Sequence, residues 1–170
     1  RQLPIITAKV GAFPLVAGGR DAAMLVEVQP GAYTLTVSGS SATDAGTVLA
    51  EVYDTRAPYE VTNTRLINLS VRATAGPSAP LLGGFVVGGT ESKRMLLRVS
   101  GPALAAFGVL GAATDTRLDL MDSKGVVLRS NDDWGSSPLL GLDARASALQ
   151  AGAFPFASGS RDAARVLVLQ

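Results

Sequence analysis

The sequence contains no cysteine and no histidine among its 170 residues. Without cysteine there are no disulfides and no thiolate metal ligands, and without histidine the commonest metal ligand and general base are missing. Composition therefore excludes the Ser–His–Asp and Cys–His arrangements of nucleophilic catalysis. The 14 acidic residues form no recognisable carboxylate pair for glycoside chemistry either. We expect that the protein is not an enzyme.

Charged and aromatic residues are also scarce, at 17% and 5% of the chain, and the net charge is only +1. This balance offers no electrostatic attraction to nucleic acid or to an anionic membrane surface. No apolar run is long enough to span a bilayer. We therefore expect no nucleic-acid partner and no membrane insertion. Burial must come mainly from small and aliphatic side chains, which dominate the 47% hydrophobic fraction.

An internal repeat is the most informative positive feature. Residues 11–29, GAFPLVAGGRDAAMLVEVQ, return as residues 152–170, GAFPFASGSRDAARVLVLQ, and ten of the nineteen positions are identical. Chance alone would give roughly one or two identities. A period of 141 residues divides the chain into 1–58, the closing strands of one unit, and 59–170, the opening portion of the next. The polar segment 54–64 reads as the junction between them. Because the chain begins at Arg1 rather than Met, we expect it to derive from a longer polypeptide.

Short β-branched and aliphatic runs separated by turn residues predict an all-β protein, an antiparallel β-sandwich of jelly-roll or immunoglobulin-like type. The predicted strands are 5–9, 22–28, 32–38, 47–53, 65–73, 83–87, 94–100, 116–121, 126–130 and 163–169. The sequence at 29–32 predicts a type II turn, and 122–125 predicts the turn of a hairpin. Two short helices are predicted in connections, at 101–107 and 143–149.

Several phrases of the sequence resemble a known family. PGAYT (30–34) and LAEVYD (49–54) look like the closing strands of pre-peptidase C-terminal-like β-sandwiches. LDL (118–120), GVVL (125–128) and SNDDW (130–134) look like the preceding hairpin of the same family. RLINLS (65–70), GPAL (101–104) and the NDDW phrase resemble tandem repeats of very large secreted bacterial proteins. The resemblance covers nearly the whole chain in permuted order. It implies a secreted, cell-surface module with an adhesive or spacer role.

Polar residues near the second predicted hairpin form the one candidate metal site. Asn131, Asp132 and Asp133, with Asp119 nearby, carry the oxygen atoms that Ca²⁺ prefers. No D-x-D-x-D-G loop is present, and the other interpretation is a capped turn beside Trp134, which closes one end of the fold. Calcium is thus the only cofactor that the sequence suggests.

The duplicated segment supplies candidate interface residues. They are Phe13, Pro14, Arg20 and Asp21 in the first copy, and Phe154, Pro155, Arg161 and Asp162 in the second. The Arg-Asp pairs have two interpretations, contacts between neighbouring units or local turns and ion pairs. Because a sandwich needs this strand only once, the surplus copy favours pairing with a neighbour.

Two functions from different classes follow. The first is a structural repeat module of an extracellular bacterial filament, stalk or adhesin, which binds copies of itself or adjacent repeats head to tail by strand complementation or tandem stacking. The alternative is a calcium- or glycan-binding β-sandwich accessory domain of a secreted enzyme.

Overall fold

The computed structural model describes residues 3–10, 12, 14–17, 19–38, 40, 41, 43, 46–55 and 66–169. The chain divides into two compact units, Arg1–Leu69 and Ser70–Gln170. The unit boundary predicted from the repeat, between residues 58 and 59, lies outside the described residues, as does most of the predicted junction 54–64. That division stays a prediction.

The first unit begins with a helix where a strand was predicted. Helix α1 spans Leu3–Lys9, and Lys9 Nζ donates a 3.0 Å hydrogen bond to the carbonyl oxygen of Thr55. Pro4 is tolerated in a first helical turn, and Lys9 places a positive charge at the negative end of the helix. The strand prediction for 5–9 was wrong because so short an apolar run does not distinguish a strand from a helix.

Five further predicted strands, at 22–28, 32–38, 47–53, 65–73 and 83–87, do not form in the described part of the chain. Arg65 itself lies outside the described residues. Side chains in these segments stay in solvent, with Leu35 55% and Val48 68% exposed. An alternating pattern becomes a strand only when a partner backbone satisfies its N–H and C=O groups, and the pattern does not name that partner.

The turn predicted at 29–32 also differs from expectation. Gly31 does not have the positive φ that a type II turn requires at its third position. Instead the Tyr33 hydroxyl donates a 2.8 Å hydrogen bond to the Gln29 carbonyl oxygen and closes a bend.

The second unit contains the sheets. Strand β1, Lys93–Val99, pairs antiparallel with strand β4, Ala163–Leu169, from Lys93 opposite Leu169 to Val99 opposite Ala163. Strands β2, Leu118–Met121, and β3, Val127–Asn131, form an antiparallel hairpin. All four confirm predicted strands to within two residues.

The hairpin turn between β2 and β3 was predicted correctly. The Asp122 side chain accepts hydrogen bonds from the backbone N–H groups of Lys124, at 2.8 Å, and Val126, at 2.9 Å. Gly125 supplies the positive φ, +79°, that the turn requires. An aspartate that bonds its own turn backbone is the mechanism behind this sequence signal.

Both predicted helices form, with shifted limits. A 3₁₀ helix spans Pro102–Phe107 and ends at Gly108, whose φ is +73°. Helix α2 spans Pro138–Gln150 and so begins five residues before the predicted start. Its early start follows from Pro138, which has the fixed φ that suits a first helical position.

The core of the second unit lies on both faces of β4. On one face Ala164 packs with Trp134 and with Ala144 of α2. On the other face Arg165 and Leu167 line a shared cleft with residues of the β2–β3 hairpin. Successive side chains point to opposite faces of a strand, so β4 joins the helix side to the hairpin side.

The regular structure of the described residues thus consists of small antiparallel sheets with few helices, which confirms the β-rich prediction. Within those same residues, no helix has the length and apolar character needed to cross a membrane.

Gly101 provides a test of this packing. A Cβ atom there would lie 2.5 Å from Thr116 Cγ2 and 2.6 Å from the Ala113 carbonyl oxygen, whereas one at Gly135 would meet nothing within 4 Å. We expect Gly101→Ala to lower the free energy of unfolding by about 1–3 kcal/mol through overpacking. Gly135→Ala is the matched control and should change it by less than about 1 kcal/mol. Urea denaturation followed by Trp134 fluorescence measures both, and equal effects would contradict the described packing.

Candidate functional site

The candidate site is the segment that leads into β4, which we call the anchor loop (residues 152–162). It begins at Gly152 and turns again at Gly159, with φ values of +70° and +74°. A side chain with a Cβ atom rarely adopts such angles, so glycine is required at both turns. The loop belongs to the repeat, and the same two glycines stand at positions 11 and 18.

Asp162 at the end of the anchor loop is fully buried. One carboxylate oxygen accepts hydrogen bonds from the backbone N–H groups of Gly101, at 2.8 Å, and Ala103, at 3.1 Å. The other accepts a 2.7 Å bond from the Ser160 hydroxyl. A buried carboxylate is tolerated only when its oxygens are bonded in this way, because its lost hydration must be replaced. Asp162 therefore ties β4 to the start of the 3₁₀ helix.

Trp134 extends this bonding network into the core. Its indole Nε1 donates to the Ser160 hydroxyl, at 3.2 Å, and to the Ala157 carbonyl oxygen, at 3.3 Å. Its backbone N–H donates a 2.9 Å bond to the carbonyl oxygen of Asp162. The only tryptophan of the chain is thus a structural plug, as one of the two sequence interpretations proposed.

Arg98 of β1 holds the first part of the anchor loop. Its guanidinium carbon lies 3.9 Å from the ring centroid of Phe156 and 4.7 Å from that of Phe154, and its Nη2 donates a 2.7 Å bond to the Phe154 carbonyl oxygen. Burial lowers the pKa of Arg98, and the Asp162 carboxylate opposes that shift. A guanidinium stays protonated in either case, so the cation–π contact persists across the ordinary pH range.

The neighbouring Arg161 has a local ionic role. Its Nη1 lies 2.7 Å from Asp115 Oδ2, and both side chains are about half exposed. Its carbonyl oxygen accepts a 3.0 Å bond from the N–H of Thr116. The second Arg-Asp pair therefore makes contacts within its own unit, with Arg161 at the surface and Asp162 in the interior. Pro155, also predicted as an interface residue, is exposed.

The first copy of the repeat presents the same residue types to solvent. Pro14, Arg20 and Asp21 are exposed, and Phe13 lies outside the described residues. Residues 22–28, the equivalents of β4, are exposed throughout. One sequence segment thus occurs in two environments, buried in the second unit and open in the first.

Two residues of the predicted calcium site, Asn131 and Asp119, make hydrogen bonds within the second unit. Asn131 donates a 3.1 Å bond to the Asp133 carbonyl oxygen and accepts a 2.8 Å bond from the N–H of Ala164. Asp119 accepts bonds from Arg117 and from Ser130, the latter at 2.6 Å. Asp132 and Asp133 are exposed. Among the residues that the structure describes, no three acidic residues are grouped closely enough to hold a metal ion.

Two important residues were missed at the level of sequence. Arg98 lies in a strand that also carries Lys93 and Arg94, and nothing near it in sequence marks the aromatic rings that it covers. Asn131 was weighed as a metal ligand or as a turn cap, whereas its side-chain oxygen also accepts the N–H of Ala164 in β4. For Asp162 a signal existed: the Arg-Asp pair is one of the identities that survive in the repeat.

Comparison of the chain with protein-family models, with curated proteins and with solved structures finds no match. The candidate site is therefore argued from its own contacts.

The Asp162 network predicts a large effect of a single substitution. Asp162→Ala leaves the buried N–H group of Gly101 and the half-buried N–H group of Ala103 without this acceptor, so the free energy of unfolding should fall by about 2–4 kcal/mol. Asp115→Ala removes only the exposed ion pair with Arg161 and should cost less than about 1 kcal/mol. Urea denaturation compares the two, and similar losses would argue against the anchor role.

We expect the Arg117–Asp119 contact to depend on pH. The Arg117 and Ser130 hydrogen bonds lower the pKa of Asp119. The contact is therefore fully present above the ordinary aspartate pKa and is lost as the pH falls through the lowered value. We expect Arg117→Gln to raise the pKa of Asp119, measured by NMR of its carboxyl carbon. Arg129→Gln is the control and should leave that pKa unchanged.

Proposed function

We propose that the chain is a structural repeat module of an extracellular bacterial filament, stalk or adhesin. Its units join head to tail with copies of the chain or with adjacent repeats, by strand complementation or tandem stacking. The observation that carries the proposal is the duplicated segment, which is the paired strand β4 in the second unit and an open chain at 22–28 in the first. A strand sequence without its ladder has unused N–H and C=O groups to offer a neighbour.

Exposed apolar side chains support the same proposal. In and after the first copy of the repeat, Met24 is 73% exposed, Tyr33 65% and Leu49 74%. Removing apolar surface from water lowers the free energy by about 25 cal/mol for each square ångström buried. A run of such residues along one stretch of chain marks a surface that becomes covered on assembly.

In the assembled protein we propose a β-sandwich of jelly-roll or immunoglobulin-like type. Side chains from both small sheets of the second unit, among them Leu97, Leu118 and Leu167, line one shared cleft, which supports this architecture. The unpaired segments 32–38 and 47–53 retain the alternation of strands that would extend such sheets. The resemblance to pre-peptidase C-terminal-like repeats supports this architecture and a secreted, cell-surface location. The lack of cysteine and histidine supports a role without catalysis.

The alternative, a calcium- or glycan-binding accessory domain, now depends on Asp132 and Asp133. Their carboxylates are exposed, whereas the side chains of Asn131 and Asp119 have partners within the unit. This alternative requires a monomer that binds Ca²⁺.

Self-association tests the proposal. Sedimentation and electron microscopy of the full chain should show particle mass rising with protein concentration, and a calcium chelator should not change it. Val26→Asp charges the exposed segment, where Val26 is 63% exposed, and should weaken association about tenfold or more. Leu110→Asp, at a 96% exposed position of the second unit, is the matched control and should leave association intact. A chain that stays monomeric at every concentration would overturn the proposal, and a monomer that binds Ca²⁺ would favour the alternative.

A further inference from the structure

Five of the residues that are identical in the two copies of the repeat lie at positions where the structure restricts the residue type. Gly152 and Gly159 need positive φ, and Asp162 is fully buried. Ala163 and Ala164 are 0% and 5% exposed, so larger side chains would not fit there without rearrangement. Each of these five residues recurs unchanged 141 positions earlier. The first copy thus keeps what is needed to occupy the β4 position.

One backbone hydrogen bond of the anchor loop recurs in the first copy. In the anchor loop, the N–H of Ser160 donates to the Ala157 carbonyl oxygen at 3.1 Å. At the equivalent positions, the N–H of Gly19 donates to the Val16 carbonyl oxygen at 2.9 Å. The hydrogen bond that precedes β4 is therefore also present before residues 22–28, although those residues pair with no strand in the described part of the chain.

Two differences between the copies improve the fit of the first copy to β1. Val168 of β4 is 65% exposed and lies opposite Arg94. Its equivalent is Glu27, which would place a second carboxylate beside the guanidinium that Asp143 already contacts. Arg165 has a buried Nε with no hydrogen-bond partner in the described structure, and its equivalent is the apolar Met24. An unpaired buried polar atom is unfavourable, so methionine suits that leucine-lined cleft better.

Two other differences favour the resident strand. Gly19 replaces Ser160 and loses the hydroxyl that bonds Asp162 and Trp134. Leu15 replaces Phe156 and loses the ring beneath Arg98. The favourable and the unfavourable differences between the two copies are of similar kind. Side-chain chemistry therefore excludes neither copy from the β4 position.

We infer that residues 20–28 of one copy replace β4 on strand β1 of a second copy, with 22–28 antiparallel to 99–93 in the register of β4. This inference rests on the proposed function and identifies the segment by which one copy binds the next. Asp21 then accepts the N–H groups of Gly101 and Ala103 in the partner copy, and Glu27 lies opposite that copy's Arg94. Because β4 is tethered to its own β1 at an effective concentration of roughly millimolar, the exchange grows with protein concentration and with any weakening of β4.

The absence of cysteine allows a direct test with two full-length chains that each carry one thiol. The donor is Val28→Cys and the acceptor is Lys93→Cys, an exposed pair that should face each other because Lys93 lies opposite Leu169, the equivalent of Val28. A short thiol-specific cross-linker should join the two chains, which differ in mass by a tag. A donor with Arg20→Cys instead, at the far end of the segment, should not be joined to the same acceptor.

Substitutions of Asp162 and Asp21 provide the second part of the cross-linking test. Adding Asp162→Ala to the acceptor should raise the cross-linked fraction roughly tenfold, and adding Asp21→Ala to the donor should return it to the background. Where Asp162→Ala prevents folding, judged by Trp134 fluorescence, Ser160→Ala weakens the same anchor more gently and takes its place.

Failure of this inference is distinguishable from failure of the proposed function. A wild-type chain that self-associates while the Val28–Lys93 pair never cross-links overturns the inference alone. Cross-linking that ignores Asp162 and Asp21 also overturns it, since 22–28 would then be using another edge of the sheet. A chain that never associates overturns both.

Discussion

The buried carboxylate of Asp162 is the interaction on which the second unit depends. It joins two parts of the chain that lie far apart in sequence: the start of the 3₁₀ helix, and the anchor loop with the strand β4 that follows it. Its desolvation is offset by two backbone N–H donors, a hydroxyl and the field of Arg98. Because a carboxylate in the interior is stable only with its full set of donors, this one residue determines where β4 begins.

From that starting point, β4 organises the packing on either side. Ala164 and Val166 join the cluster around Trp134, and Arg165 and Leu167 line the cleft against the β2–β3 hairpin. Asn131 fastens the same strand laterally, since its side-chain oxygen accepts the N–H of Ala164. Under the proposed exchange, residues 22–28 of another copy would take over the contacts that hold β4 on both faces and at its start.

The part of the fold that could be predicted from sequence is the part with local causes. The hairpin at 122–125 follows from an aspartate that bonds its own turn and a glycine with positive φ. Pro102 begins its helix because its φ already suits a first helical turn. Pro138 has the same property, but the start of α2 was predicted five residues too late. Strand 163–169 was predicted with its observed limits. Alternation failed as a guide at 22–28, 32–38 and 47–53, because pairing depends on a second backbone that the pattern does not contain.

The sequence by itself determined the repeat, the absence of His- and Cys-based chemistry, and the hairpin turn at 122–125. It also showed that Asp162 and its neighbours recur as Asp21 and its neighbours, without showing why. Only the tertiary structure decided that Asp162 is an interior cap, that Asn131 supports a strand, and that Arg98 covers two phenylalanine rings. The structural role of a polar side chain depends on its burial and on hydrogen-bond partners that are distant in sequence. These come together only when the chain folds.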